Sequence, residues 1–101
     1  MSISLVALWK APNDVEGFEE HYFSTHIPIA RELPGVQEVF TAKATSGPYY
    51  RVAQLRFGAA EDLAGAFGSE AGQKLMADTA HIQEAFGATA EVLTVEDDPK
   101  D

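Results

Sequence analysis

The order of elements along this 101-residue sequence predicts an α+β fold of ferredoxin-like type, β-α-β-β-α-β, a four-stranded antiparallel sheet with its helices on one face. Three observations point there. A branched apolar run opens the chain, a long stretch of helical periodicity follows it, and two strand-like runs then flank the turn Ser46-Gly47-Pro48 before helical pattern returns. Two helices cover only one face of such a sheet. The first strand nevertheless reads as apolar on both sides, so the other face calls for a second copy, two sheets closing on each other as a dimeric α/β barrel.

From Ile3 to Lys10 only Ser4 interrupts the apolar run, where a solvent-facing strand would have alternated. Pro12 then breaks the chain, and Asn13, Asp14 and Glu16 suit the start of a helix. Phe18, Tyr22, Ile29 and Leu33 fall within about 60° at about 100° per residue, which makes Val15 to Leu33 one amphipathic helix. Pro34-Gly35 ends it. Pro28, inside it, removes the bond to the Ser24 carbonyl and should bend or loosen the second half. Val36 to Thr45 and Tyr49 to Phe57 form a hairpin, and helices are expected at Ala60 to Phe67 and, capped by Ser69, from Glu70 to about Asp78. Thr79 to Phe86 reads equally well as helix or loop, and Ala88 to Glu96 closes the sheet. Residues 1–96 are thus one domain, with 97–101 an acidic, solvated tail.

Composition narrows the function classes. Sixteen acidic against seven basic side chains give a formal charge of −9, and the basic residues are scattered singly, which argues against nucleic acid and anionic membranes as partners. The absence of cysteine removes disulfides, thiolate nucleophiles and Cys-type zinc sites. Leu5 to Trp9 is far shorter than the ~20 residues of a membrane span and lacks a basic flank, so a cytoplasmic location is the expectation. There is no phosphate loop, HExxH motif or nucleophile elbow. No cofactor is implied. His21 and His26, five apart, lie about 140° apart on a regular helix, so a metal held between them is not expected.

The candidate site residues are polar or aromatic groups on apolar faces. His26, at about 80° on the wheel, joins the buried stripe, whereas His21, near 300°, falls at its edge or in solvent. A buried imidazole can serve as acid, base or ligand-orienting donor, or simply be a core histidine bonded to a backbone carbonyl. Tyr22, one turn before it, can form a small polar relay with it or merely pack. Gln54 shares an alternation face with Tyr50, Val52 and Arg56; it binds ligand if that face is the barrel interior and sits at a wet rim if not. Trp9, Phe40 and Phe57 offer an aromatic wall for a flat ligand, or core packing. His81 reads as exposed.

The chain resembles the EthD family of small dimeric α/β-barrel proteins. The resemblance rests on Ala7-Leu8-Trp9-Lys10 followed by Pro12, on the segment from Phe18 to Ala30 with His26-Ile27-Pro28 set one turn after Tyr22, on Leu33-Pro34-Gly35, and on Ser69-Glu70-Ala71-Gly72-Gln73. It implies dimerisation through facing sheets and an interior pocket in which His26 is the pocket histidine, Tyr22 its neighbour and Pro28 a structural partner. The family is similar to barrels that include cofactor-independent monooxygenases, lactone isomerases, polyketide dehydratases and haem-degrading enzymes. These readings lead to a small homodimer binding an apolar or aromatic metabolite, with His26 and Tyr22 in a cofactor-independent oxygenation, isomerisation or dehydration and Gln54, Trp9 and Phe40 against the substrate. The alternative is a non-catalytic ligand-binding or accessory protein of a degradative or biosynthetic pathway.

Overall fold

The computed structural model describes residues 2–98. Its sheet takes shape around β3 (Arg51–Phe57), where Arg51, Ala53, Leu55 and Phe57 are buried and the residues between them are not. That period of two divides the sheet into a covered and an open face. Antiparallel pairing of β3 with β2 (Val36–Lys43) and β1 (Ile3–Trp9), and of β1 with β4 (Ala90–Glu96), gives the order β2-β3-β1-β4. This is the predicted ferredoxin-like topology. α1 (Val15–His21), a π turn (Tyr22–His26), α2 (Ile27–Arg31), α3 (Ala60–Gly68) and α4 (Glu70–Phe86) supply the cover.

Registers turn the alternation into rows that cross the whole sheet. On the helix side run Lys43-Arg51-Trp9-Ala90 and Thr41-Ala53-Ala7-Val92; on the open side runs Phe40-Gln54-Val6-Leu93. Trp9, Phe18, Tyr22 and Phe57, each at most 1% exposed, anchor the core between helices and sheet. On the open face Phe40 and Leu93 remain 49% and 44% exposed. Ser4, the one polar interruption of the first strand, is fully buried there and accepts a hydrogen bond from Gln54 Nε2 at 3.1 Å.

Two helical expectations take definite form. The first helix is not regular: between α1 and α2 it widens into the π turn, and the Ile27 amide donates to the Tyr22 carbonyl five residues back. Pro28 has no amide proton and its ring crowds the carbonyl four residues before it, so the extra residue is accommodated just upstream of the proline. The second concerns length. Of the two readings left open for Thr79 to Phe86 the helical one holds: the late helix runs through Phe86 to Gly87, whose φ of 72° places it in the left-handed conformation that ends helices.

Both N-caps form as the sequence indicates, the Asp14 carboxylate accepting from Gly17 N at 3.0 Å and the Ser69 hydroxyl from Gly72 N at 3.2 Å. Of the expected acidic tail, Asp97 is tied to the sheet, its amide donating to the Ser2 carbonyl at 3.0 Å and its carboxylate lying 3.3 Å from Arg56 Nε. Residues 99–101 lie outside the described residues.

The α3–α4 junction fixes how α4 lies over the sheet, and Gly72 is its contact point. A Cβ there would sit 2.3 Å from the Ala66 carbonyl oxygen and 2.6 Å from Phe67 Cα, whereas one at Gly65 meets nothing within 4 Å. Gly72→Ala is therefore expected to lower stability by about 1–3 kcal/mol, and Gly65→Ala to raise it by about 0.5–1 kcal/mol. Chemical denaturation of the two variants measures both, and equal effects would refute this account of the junction.

Candidate active site

Small side chains make the space. Ala7, Ala53 and Ala90 occupy the helix side of three neighbouring strands, and Ala30 faces them from α2, so the layers cannot close fully. A cavity of about 340 Å³ remains between sheet and helices, within the range of small-molecule sites. Its wall is almost entirely apolar: Leu5, Leu55, Leu75 and Ile27 line it, Trp9 and His26 close one side, and Thr79 adds a hydroxyl-bearing side chain. Met76 and Val92, 60% and 56% exposed, belong to the same wall, which places the mouth between α4 and β4.

His26 is 7% exposed and held on three sides. Tyr22 stacks on its ring with centroids 5.6 Å apart and an 18° tilt, and Trp9 meets it edge-on at 5.5 Å. His26 Nδ1 lies 2.8 Å from Asp78 Oδ2, and His21 Nε2 lies 2.7 Å from the other oxygen, Oδ1. A carboxylate only accepts, so each of these nitrogens carries the proton. The neutral His26 ring then has Nε2 as its basic nitrogen, with no hydrogen-bond partner among the described residues. Burial holds the His26 pKa below its ordinary value of 6.5, against the opposing pull of the Asp78 hydrogen bond and charge. The resting ring is neutral, a proton acceptor rather than a donor.

The π turn is what lets two histidines reach one carboxylate. On a regular helix His21 and His26 diverge, and the expectation that they hold no metal between them followed from that geometry. With the wider turn, residues five apart return toward one side. Asp78, the third member, stands just before the segment that reads equally well as helix or loop, so its place on a buried helical stripe was not evident from the sequence. Leu75 and Ile82 are buried at spacing seven, with Asp78 between them on the same stripe, so a continuous helix would have flagged its carboxylate. Among the described residues no group of three acidic or histidine side chains is placed to hold a metal ion.

Tyr22 does not form the relay with His26 considered above. Its hydroxyl bonds Thr41 Oγ1 on β2 at 2.9 Å, and burial raises its pKa above 10.0, with the Thr41 bond opposing. Thr41 also accepts from Arg51 Nη1 at 3.4 Å, and Arg51 reaches Glu19 through Nη2 and Nε at 2.9 and 3.2 Å. This buried arginine network, with Tyr50 donating to Glu19 at 2.8 Å, ties α1 and the π turn to β2 and β3. Sequence reasoning missed it, because Arg51 and Glu19 are 32 positions apart.

Gln54 and Phe40 sit together on the open face, the far side of the sheet from the cavity. The face carrying Gln54 is therefore not the cavity wall within one subunit, and Trp9, Phe40 and Phe57 do not form one aromatic wall, because Phe40 is separated from the other two by the sheet. Trp9 alone of the three borders the cavity, and its buried indole N–H has no hydrogen-bond partner among the described residues. His81 is exposed as expected, but its ring lies 5.0 Å from that of His21.

Residues 10–84 match the EthD domain family. The chain belongs to the EthD family. It is 32% identical over 95 residues to an uncharacterised 11.0 kDa protein from the thcB-thcC intergenic region of Rhodococcus erythropolis, an alignment covering 89% of this chain and 90% of that relative. Among solved structures it is similar to an EthD-family protein of Bacillus halodurans C-125, at 24% identity and a TM-score of 0.86, over 96% of this chain and 99% of that one. It is also similar to SnoaB, a cofactor-independent oxygenase from Streptomyces nogalater, at 11% identity and a TM-score of 0.72, over 98% and 95% of the two chains. At such identities the structural likeness speaks for the fold. No helix among the described residues of this EthD chain is long and apolar enough to cross a membrane.

The His26 environment has a consequence for stability. Its folded-state pKa lies below 6.5, so on acidification the unfolded chain takes up the proton first. The stabilisation is complete above about pH 6.5 and is lost as the pH falls through the folded value. Thermal unfolding midpoints are expected to drop on going from about pH 7 to about pH 5, and His26→Gln should flatten that slope; an unchanged slope would place the acid sensitivity elsewhere.

Proposed function

We propose that this EthD protein is a homodimer that takes an apolar, weakly acidic metabolite into the cavity and moves a proton with His26, without metal or nucleotide. The observation that carries the reading is a neutral imidazole on an otherwise apolar wall, its Nδ1 held by Asp78 and its Nε2 free. Such a ring removes a proton from a carbon or hydroxyl that is already acidic, and Asp78 stabilises the imidazolium that results. Proton transfer of this kind is the common first step of isomerisation, of dehydration and of oxygenation of an electron-rich ring. A positioned base contributes about 10²–10⁴-fold.

The expected result is that purified protein under air, with no additive, converts a member of a panel of phenolic or enolisable aromatic ketones. His26→Ala should then lower kcat by about 10²–10⁴-fold while the protein stays folded. Turnover unaffected by His26→Ala would refute the catalytic reading. The wall offers little besides that one imidazole to orient a substrate, which favours a second reading, a binding or accessory protein that shelters the metabolite. Binding without conversion, with affinity changed only a few-fold by His26→Ala, is its signature.

Support for the dimer comes from the open face. Val6, Leu8, Val52, Phe40 and Leu93 share it with no covering element among the described residues, and a second sheet packed there would bring the Phe40-Gln54-Val6-Leu93 rows of two subunits face to face. Gln54 and Phe40 would then lie at the subunit interface, and Gln54 would act on a ligand only by way of that assembly. Phe40→Arg combined with Leu93→Arg is expected to yield monomers in sedimentation velocity runs in which the native protein sediments as a dimer. A native monomer, or a dimer indifferent to both charges, would remove this part of the proposal.

A further inference from the structure

Both oxygens of Asp78 are engaged by imidazoles, and the two rings differ in access to solvent. The His26 side chain is 9% exposed and the His21 side chain 21%. Around His21, α4 contributes Asp78, the exposed His81 with ring centroids 5.0 Å apart, and Phe86 at 5.7 Å. The charged or titratable groups that act on His26 are Asp78 and His21, while Tyr22 stacks on its ring and Trp9 meets it edge-on.

We propose that His21 is a positioning residue for His26: by sharing Asp78 it sets how strongly that carboxylate can stabilise the proton that His26 accepts. The proposal rests on the reading of His26 as a proton acceptor. In that step a substrate C–H or O–H bond breaks, its electron pair stays on the substrate, and the proton bonds His26 Nε2 to give an imidazolium. With His21 neutral, the Asp78 carboxylate faces one cation. With His21 protonated it faces two, and the two rings repel each other across it. Acidification therefore weakens His26 as a base through the outer ring as well as by filling His26 directly. The arrangement depends on the π turn, because His21 reaches Asp78 Oδ1 while His26 reaches Oδ2.

The test needs no substrate. Protein labelled with ¹⁵N-histidine is titrated by NMR, following the ring nitrogens of His21 and His26. In the native protein the His26 curve is expected to be broader than that of an independent single-proton titration. His21→Gln retains a donor for Asp78 but cannot be charged; it should convert the His26 curve into a single step at higher pH, with proton affinity raised roughly three- to tenfold. Asp78→Asn should move that step to lower pH, and His81→Gln should leave it in place. A single-step His26 curve identical in the native protein and His21→Gln would overturn the proposal. If His21→Gln disturbs the fold, the native curves decide alone, since two independent single-proton titrations would overturn it equally. Coupled curves alongside turnover that ignores His26→Ala would sustain the coupling and remove only its catalytic meaning.

Discussion

The Asp78 carboxylate is where the helical layer becomes a site. It is carried by α4, and its two hydrogen bonds go to residues at either end of the π turn, at 2.7 and 2.8 Å. A side chain that is only 10% exposed and accepts from two rings is satisfied in the way a buried carboxylate must be. The same contacts orient His26, fix its tautomer and leave Nε2 as the acceptor. Without them the imidazole would be a buried polar group with no defined direction.

That bridge depends on an irregularity. Pro28 cannot continue a regular hydrogen-bond ladder, and the helix responds with one wide turn just before it, closed by the bond from Ile27 to Tyr22. The His-x-Pro element is thus intelligible physically: the proline permits the turn, and the turn lets His26 converge with His21 on Asp78. On the other side of the π turn, Tyr22 and Glu19 are fastened to β2 and β3 by Thr41 and Arg51, and the Arg51 guanidinium stacks over Tyr22 and Phe23 with carbon-to-centroid distances of 5.3 and 5.0 Å. The wide turn is held from both sides, which suits a group whose direction matters.

The two faces of the sheet divide the labour. On the helix side three alanines leave room that larger residues would fill, and the result is an apolar chamber with one imidazole in its wall. Inside so apolar a space a neutral imidazole is favoured over a charged one, which is why burial and Asp78 act on His26 in opposite directions. On the open side the exposed Phe40 and Leu93 belong to a continuous row across all four strands. Residues that alternate along one strand therefore serve different ends, and an aromatic wall of Trp9, Phe40 and Phe57 would join two surfaces that the sheet keeps apart.

Local pattern was enough for the element order, the topology, both N-caps and the buried His26 on its stripe, because each follows from periodicity or capping chemistry within a few residues. The resemblance carried by His26-Ile27-Pro28 and its flanks named the family for the same reason, since the motif is contiguous. What tertiary structure alone decided is which residues meet across the fold. Asp78 finds His26 from 52 positions away, Arg51 finds Glu19 from 32, and neither pairing leaves a trace in local pattern. The side of the sheet taken by Gln54 was equally out of reach, because alternation separates the faces of a strand without saying which one the helices cover. His21 lies at the stripe's edge as its position on the wheel indicates, but its convergence with His26 was out of reach for a physical reason: a wheel drawn at a fixed angle per residue cannot anticipate one wide turn.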